Sequence, residues 1–399
     1  MNNFLRSQSP SFNVKTITDT IERALASAGL DTSSGPMQSV TETIRRALSS
    51  GGISRVSPPR GADESVVDVV ARMVEEQPDQ KHQPIRRSPP SAPGLPGEFV
   101  TREFSNSAGT RAYKLYVPAP MSEAPLPLVV MLHGCTQSAE DFAAGTQMNR
   151  LAEEHGFLVA YPEQAASANM SKCWNWFQTE DQVRDSGEPL LIAGIVNEIA
   201  QAHRVDRRRI FVAGLSAGAA MAVILGEAYP EMFAGVGAHS GLPFASASDI
   251  PSAMAAMKGG RSGMAGLTGP TSASPGVRRK TIQATPTIVF HGDRDHTVQQ
   301  SNGAAIVQQA SDAYAAAAGD KSLLESTTQR GTASGGRSFS RTVMTDPTGQ
   351  PYLESWTLHG AGHAWSGGSA AGSYTDRKGP DASAEMVRFF LAQRRAGTA

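Results

Sequence analysis

Three widely separated segments hold the residue types that a covalent acyl-transfer reaction needs. The first is Gly214-Leu-Ser-Ala-Gly218, which places Ser216 between two glycines. The run 209–213 before it has strand character and the run 217–229 after it has helical character, so the serine falls on a strand-to-helix junction. A turn that presents a serine hydroxyl there is so tight that only small residues fit around it. Gly214, Ala217, Gly218, Ala219 and Ala220 meet that requirement. The competing reading is a glycine-lined turn whose serine merely caps the helix.

A serine hydroxyl is a weak nucleophile until a base takes its proton and an acid orients the base. Behind a turn of this kind the chain order is serine, acid, histidine. Downstream, the strand-like run 287–290 opens into a polar loop carrying Asp293 and Asp295. Asp295 is favoured as the acid, with Asp293 capping the following helix or closing the turn. Further on, Trp356-Thr-Leu-His-Gly-Ala-Gly-His-Ala-Trp365 offers two histidines. His363, in the glycine-bounded loop, is favoured as the base, and His359, at the strand's end, as a packed or hydrogen-bonded structural residue. His291 and His296 are read as loop residues that support the acid.

The reaction also needs N–H groups aimed at the oxyanion that forms on the carbonyl. The amide of Ala217, just after the serine, is one. The loop Leu132-His-Gly-Cys-Thr-Gln137 supplies the other, read as the amide of Cys135. Its thiol has no catalytic task, because Ser216 is already the nucleophile. The second cysteine, Cys173, opens the aromatic segment Cys173-Trp-Asn-Trp-Phe177. A Cys135–Cys173 disulfide and a pair of buried thiols both remain open. Trp174, Trp176 and Trp365 are candidates for an apolar substrate pocket, with a place in the core as the alternative for each.

These residues need a frame, and the chain alternates strand-like and helix-like runs as a sheet covered on both faces does. Strands are expected at 111–117, 127–132, 157–161, 209–213, 235–239, 287–290 and 355–358. Helices are expected at 190–203, 217–229 and 382–394. The continuous apolar run Pro127–Leu132 suits a central strand buried on both faces. Two stretches, 246–284 and 318–350, are read as surface excursions, the first able to help wall the site.

The first 97 residues differ. Two similar segments, 17–30 and 40–53, carry apolar residues at helical spacing and close on Gly29-Leu30 and Gly52-Ile53, so 1–76 is read as a small helical extension. It is suited to packing on the main domain, to self-association or to contact with another protein. The stretch 77–97 carries six prolines among polar and basic residues and reads as a linker. The catalytic domain is then 98–399.

The 36 Lys and Arg nearly balance 37 Asp and Glu, for a net charge of −1, so no global field draws in nucleic acid. No run is apolar and long enough to cross a membrane as a helix. The N-terminus lacks the apolar core of a secretory leader, which favours the cytoplasm. Two cysteines cannot form a Cys-rich zinc site, and neither a metal nor an organic cofactor is expected.

Several motifs in order resemble the polyhydroxybutyrate depolymerase family of esterases and its feruloyl and acetylxylan esterase relatives. They are LHGCTQ (132–137), YPEQ (161–164), CWNWF (173–177), GLSAG (214–218), HSGLP (239–243), HGDRDHTV (291–298), GHAWSGG (362–368) and SYTDRKGPDAS (373–383). The resemblance implies an α/β-hydrolase fold, with a mainly parallel sheet flanked by helices. It also implies Ser216, Asp295 and His363 as a triad and Cys135 with Ala217 as the oxyanion pair. Many members of that family are extracellular, which makes export the alternative to a cytoplasmic location. The implied function is hydrolysis of short-chain hydroxyalkanoate or related esters. A feruloyl or aryl esterase, or a peptidase, on the same scaffold is the nearest rival. A non-catalytic binding protein acting through the N-terminal helices is the remote one.

Overall fold

The computed structural model describes residues 95–119, 124–259, 284–319 and 324–395. The expected N-terminal helical segments lie outside the described residues, as does the proline-rich linker apart from 95–97.

One sheet of ten strands organises the described chain. In chain order they are β1 (Glu98–Asn106), β2 (Gly109–Val117), β3 (Leu126–Leu132), β4 (Leu158–Pro162), β5 (Val205–Leu215), β6 (Gly235–His239), β7 (Thr287–Gly292), β8 (Glu325–Thr332), β9 (Ser338–Thr345) and β10 (Pro351–Leu358). Their order in space is β1-β2-β4-β3-β5-β6-β7-β10-β9-β8. The middle strands, from β4 through β10, run parallel. Antiparallel pairs β1–β2 and β9–β8 extend the two sides. This is the α/β-hydrolase arrangement. The helices are α1 (Ala139–Thr146), α2 (Met148–His155), α3 (Gly187–Ala202), α4 (Ala217–Ala228), α5 (Ile250–Met257), α6 (Ser301–Ala318) and α7 (Ala382–Leu391).

Every residue of β3 is buried, as its unbroken apolar run requires of a strand covered on both faces. Side chains of a strand alternate between faces, and β5 shows the consequence. Ile210 and Val212 pack in one cluster with Ile192 and Val196 of α3 and Ile224 of α4. Phe211 and Ala213 pack in the other, with Leu151 of α2 and Phe389 and Phe390 of α7. The Phe211 and Phe390 rings stack, with centroids 4.9 Å apart and planes within 6°.

One of the sequence expectations is corrected. The stretch 318–350 is not an excursion, because it contains β8 and β9, which pair as a hairpin and widen the sheet. Its Ser and Thr content reflects an exposed strand, since β-branched Thr suits the pleated backbone while its hydroxyl faces water. Within 246–284, residues 250–257 form α5, opened by Asp249 and Ser252 as a reciprocal cap with a proline in the first turn. Strand β1 and helices α1 and α2 had no counterpart in the sequence reading. Among the described residues no helix is long and apolar enough to cross a membrane.

Phe390 is fully buried and stacked, so Phe390→Ala removes both apolar burial and ring contact. A loss of about 3–5 kcal/mol is expected, read as a lower urea midpoint. A change under about 1 kcal/mol would show that α7 is not integral to the core.

Candidate active site

Four strands of the parallel block end on the same side of the sheet, and the loop after each carries part of the site. That is where open parallel sheets place their ligands. Strand β5 delivers Ser216, β3 delivers 133–137, β7 delivers Asp295 and β10 delivers His363.

Ser216 occupies a conformation that L-residues rarely adopt, φ 57° and ψ −120°, between the end of β5 and the first turn of α4. Holding a non-glycine residue there costs about 1–3 kcal/mol. Its N–H donates to His239 O at 2.9 Å and its carbonyl accepts from Ala220 N–H at 3.0 Å. Close backbone contact explains the flanking glycines. A Cβ on Gly214 would lie 2.4 Å from the Gly218 carbonyl carbon, and one on Gly218 only 2.1 Å from Leu132 O. Ala217 is the first residue of α4, so its N–H has no acceptor within the helix.

Asp295 is buried and heavily bonded. One carboxylate oxygen accepts from Thr297 N–H at 3.0 Å and Val298 N–H at 2.8 Å, and the other meets His363 Nδ1 at 2.7 Å. Burial pushes the carboxyl up, but the His363 hydrogen bond and charge, with the Val298 amide, outweigh it and hold Asp295 below its ordinary range. Asp293 instead accepts from Gly360 N–H at 2.6 Å and pairs with His359 Nδ1 at 3.0 Å, while His359 Nε2 meets Ser340 Oγ at 2.9 Å. These contacts staple the base of the loop that carries His363.

Of the other two histidines, His296 is an exposed loop residue and His291 is buried at the end of β7. His291 Nε2 donates to Val298 O at 2.8 Å and lies 3.6 Å from Asp295. His239, at the end of β6, stacks between Phe290 and Trp365 and accepts from Ser366 N–H at 3.0 Å. Burial first, then the neighbouring His291 and His363, push His239 down to about 3. It is a neutral support under the serine.

Ser216, Ala217, Cys135 and His363 line one cavity. Around Cys135 the amides of Gly134, Thr136 and Gln137 all have acceptors, at 2.9, 2.7 and 3.3 Å. Among the described residues the Cys135 N–H has none. Cys135 and Cys173 form a disulfide, with S–S 2.10 Å. It ties the β3 loop to the aromatic segment.

Trp176 lines the cavity, whereas Trp174 and Trp365 do not. Their indole N–H groups are committed to buried acceptors, His133 O at 3.1 Å and Ser383 Oγ at 3.0 Å, so both belong to the core. Not singled out in the sequence reading were Asn169, Ser171, Leu242, Val298 and Tyr374; the stretch 246–284 was expected to help wall the site, and α5 within it does line the cavity. The Ile250, Ala253, Met254, Met257 spacing behind an Asp-x-x-Ser cap was a usable sign of that helix.

A buried polar cluster backs the aromatic segment. Glu188 accepts from Asn175 N–H at 2.8 Å, and its own N–H donates to Asp181 at 2.7 Å. Gln164 also bonds it, and Arg111 lies 3.7 Å away. Burial, then the neighbouring Asp181 charge, raise Glu188 to about 7. Among the described residues no group of three or more His, Cys, Asp or Glu is placed to hold a metal ion.

A family model for esterase PHB depolymerases matches residues 111–325. This chain belongs to that family. Poly(3-hydroxyalkanoate) depolymerase C of Paucimonas lemoignei is 32% identical over 272 residues, spanning 65% of this chain and 60% of that protein. Probable acetylxylan esterase A of Aspergillus fumigatus is 34% identical over 145 residues, 36% of this chain and 38% of that one. Feruloyl esterase B of Thermothelomyces thermophilus is 33% identical over 156 residues, 39% of this chain and 52% of that one. The chain therefore spans between 38% and 60% of these relatives' lengths. These family members are carboxylic ester hydrolases. Among solved structures, an acetyl xylan esterase from Aspergillus awamori superposes with TM-score 0.55 at 20% identity, covering 73% of this chain and 99% of that one. That likeness speaks for the fold.

Two outcomes follow for this esterase-family site. With its carboxyl held low in the folded state, Asp295 contributes stability at pH above about 4, the unfolded carboxyl value, and that contribution is lost as pH falls through the folded value. The urea midpoints of wild type and Asp295→Asn should therefore differ at neutral pH and converge in acid; a constant gap would refute the linkage. Reducing the disulfide, which closes a separation of 38 residues, should cost about 4 kcal/mol. Urea titration with and without a reductant measures it, and unchanged midpoints would mean that packing alone holds the segment.

Proposed function

We propose that this chain is a serine carboxylic-ester hydrolase working through Ser216, His363 and Asp295. The observation that carries the reading is convergence on one cavity. It holds a serine on a strained strand-to-helix turn, a histidine bonded at 2.7 Å to a buried aspartate, and two amides free of backbone acceptors.

In the first step His363 Nε2 takes the Ser216 proton as Oγ attacks the ester carbonyl. The carbonyl π electrons move to oxygen, where the N–H groups of Cys135 and Ala217 stabilise the charge. Asp295 holds the ring with Nδ1 protonated and faces the imidazolium that forms. The tetrahedral intermediate collapses, the alcohol leaves with the proton from His363, and an acyl-serine remains. Water repeats the sequence, releasing the acid and restoring Ser216.

Hydroxyalkanoate esters are the substrate class to which the poly(3-hydroxyalkanoate) depolymerase relative points. A second reading, an aryl ester such as a feruloyl ester, draws on Trp176 and Phe177 in the cavity wall and on the feruloyl esterase relative.

Hydrolysis of p-nitrophenyl acetate and butyrate by wild type, Ser216→Ala and His363→Ala tests the mechanism. Either substitution should cost about 10⁴ to 10⁶ in turnover, and a fluorophosphonate should leave one adduct, on Ser216. Activity retained by Ser216→Ala, or a folded wild type without adduct, would overturn the assignment. Hydroxybutyrate oligomers, feruloyl esters and peptide amides, compared by kcat/KM, then rank the substrate classes.

A further inference from the structure

Helix α5 carries Ile250, Ala253, Met254 and Met257 at i, i+3, i+4 and i+7, which is a single stripe along one face. A surface helix normally packs such a stripe against the core. Here all four residues line the cavity, and the two methionines stay only partly buried. Ala253 is at the same time buried in the core with Ala256, one step round the helix, and Met257 packs against that cluster, so Met254 is the methionine of the stripe turned further from the core.

Both ends of the helix are fixed. Asp249 and Ser252 cap its start reciprocally, with Ser252 N–H donating to Asp249 Oδ1 at 2.8 Å. At its end Gln299 N–H donates to Met257 O at 2.8 Å and Asn302 Nδ2 to Ala256 O at 2.9 Å. Lys258 Nζ reaches His296 O at 3.0 Å. The acceptors and donors at 296–302 follow Asp295 directly, so the apolar stripe is held in register with the aspartate that orients His363.

We infer that α5 is the wall on which the site selects its substrate, with Met254 and Met257 as specificity-determining residues for an ester bearing an extended apolar segment. The inference rests on the ester-hydrolase reading above. Thr136, Asn169 and Ser171 give the same cavity a polar portion. A ligand with one apolar arm and one polar arm matches both surfaces. Thioether side chains are flexible and polarisable, so this wall accommodates an aliphatic chain or a ring edge without a fixed shape.

The apolar arm can stand on either side of the ester, and two substrate series separate the cases. One lengthens the acyl group of p-nitrophenyl esters from acetate to octanoate. The other lengthens the alcohol of acetate esters. For wild type, kcat/KM should climb about fourfold per methylene in one series, the equivalent of about 0.8 kcal/mol per buried CH₂. In Met254→Ala/Met257→Ala that climb should fall to about half or less per step, and Met254→Leu/Met257→Leu should restore it. Met254→Trp, which adds bulk, should shorten the longest chain accepted and keeps the test open if the alanine pair fails to fold. Circular dichroism and urea midpoints identify folded variants. An unchanged slope in both series for folded variants overturns the role of α5. A folded wild type that forms no fluorophosphonate adduct on Ser216 overturns the underlying hydrolase reading instead.

Discussion

Helix α4 enters the molecule so close to the end of β3 that a methyl group on Gly218 would sit 2.1 Å from the Leu132 carbonyl oxygen. That contact between two backbones governs the rest of the site. It forces the chain to turn from β5 into α4 within one residue, and Ser216 takes up the resulting strain at φ 57°. The same approach brings the first turn of α4 beside the loop that leaves β3. The amides of Ala217 and Cys135 therefore share a cavity with the serine, although they come from distant parts of the chain. Any larger residue at 214 or 218 would push helix and strand apart and separate all three groups together.

The charged part of the site is built on opposite logic, by surrounding one carboxylate with donors. Asp295 is buried, which by itself would favour its neutral form, yet two backbone N–H groups and His363 keep it ionised. The neighbouring buried imidazoles avoid competing with it. His239 stays neutral, and burial likewise lowers His291. A low local dielectric strengthens the interaction between Asp295 and the protonated form of His363, because few mobile dipoles remain to screen it.

Much of this arrangement was legible in the amino-acid sequence because it depends on local rules. Small residues flanking Ser216 report a tight turn, and the apolar run of β3 reports burial on both faces. The choice of His363 over His359 followed from position in a loop, and the structure pairs His363 with Asp295 and His359 with Asp293. What escaped depends on tertiary context. Trp174 and Trp365 look like pocket residues in sequence, but their N–H groups find buried acceptors contributed by His133 and Ser383, far away in the chain. Composition also misled. The Ser- and Thr-rich run at 325–345 resembles a loop until its pairing partner is known, and the Ala- and Met-rich stretch 246–284, although expected to help wall the site, did not show its helix.

The hairpin of β8 and β9 has a consequence for accuracy at a distance. The parallel block ends at β10, the strand whose loop carries His363. An outermost strand frays and offers unpaired amides to other chains. By adding two polar strands beyond β10, the protein moves that frayed margin two places away and leaves β10 bonded on both sides. The start of β9 also grips the loop: Ser338 O accepts from His359 N–H at 2.9 Å, and Arg337 Nη1 donates to His359 O at 2.9 Å. The hairpin thus acts as a sacrificial border, taking the looseness of the sheet's edge so that the histidine loop, well inside it, keeps its aim.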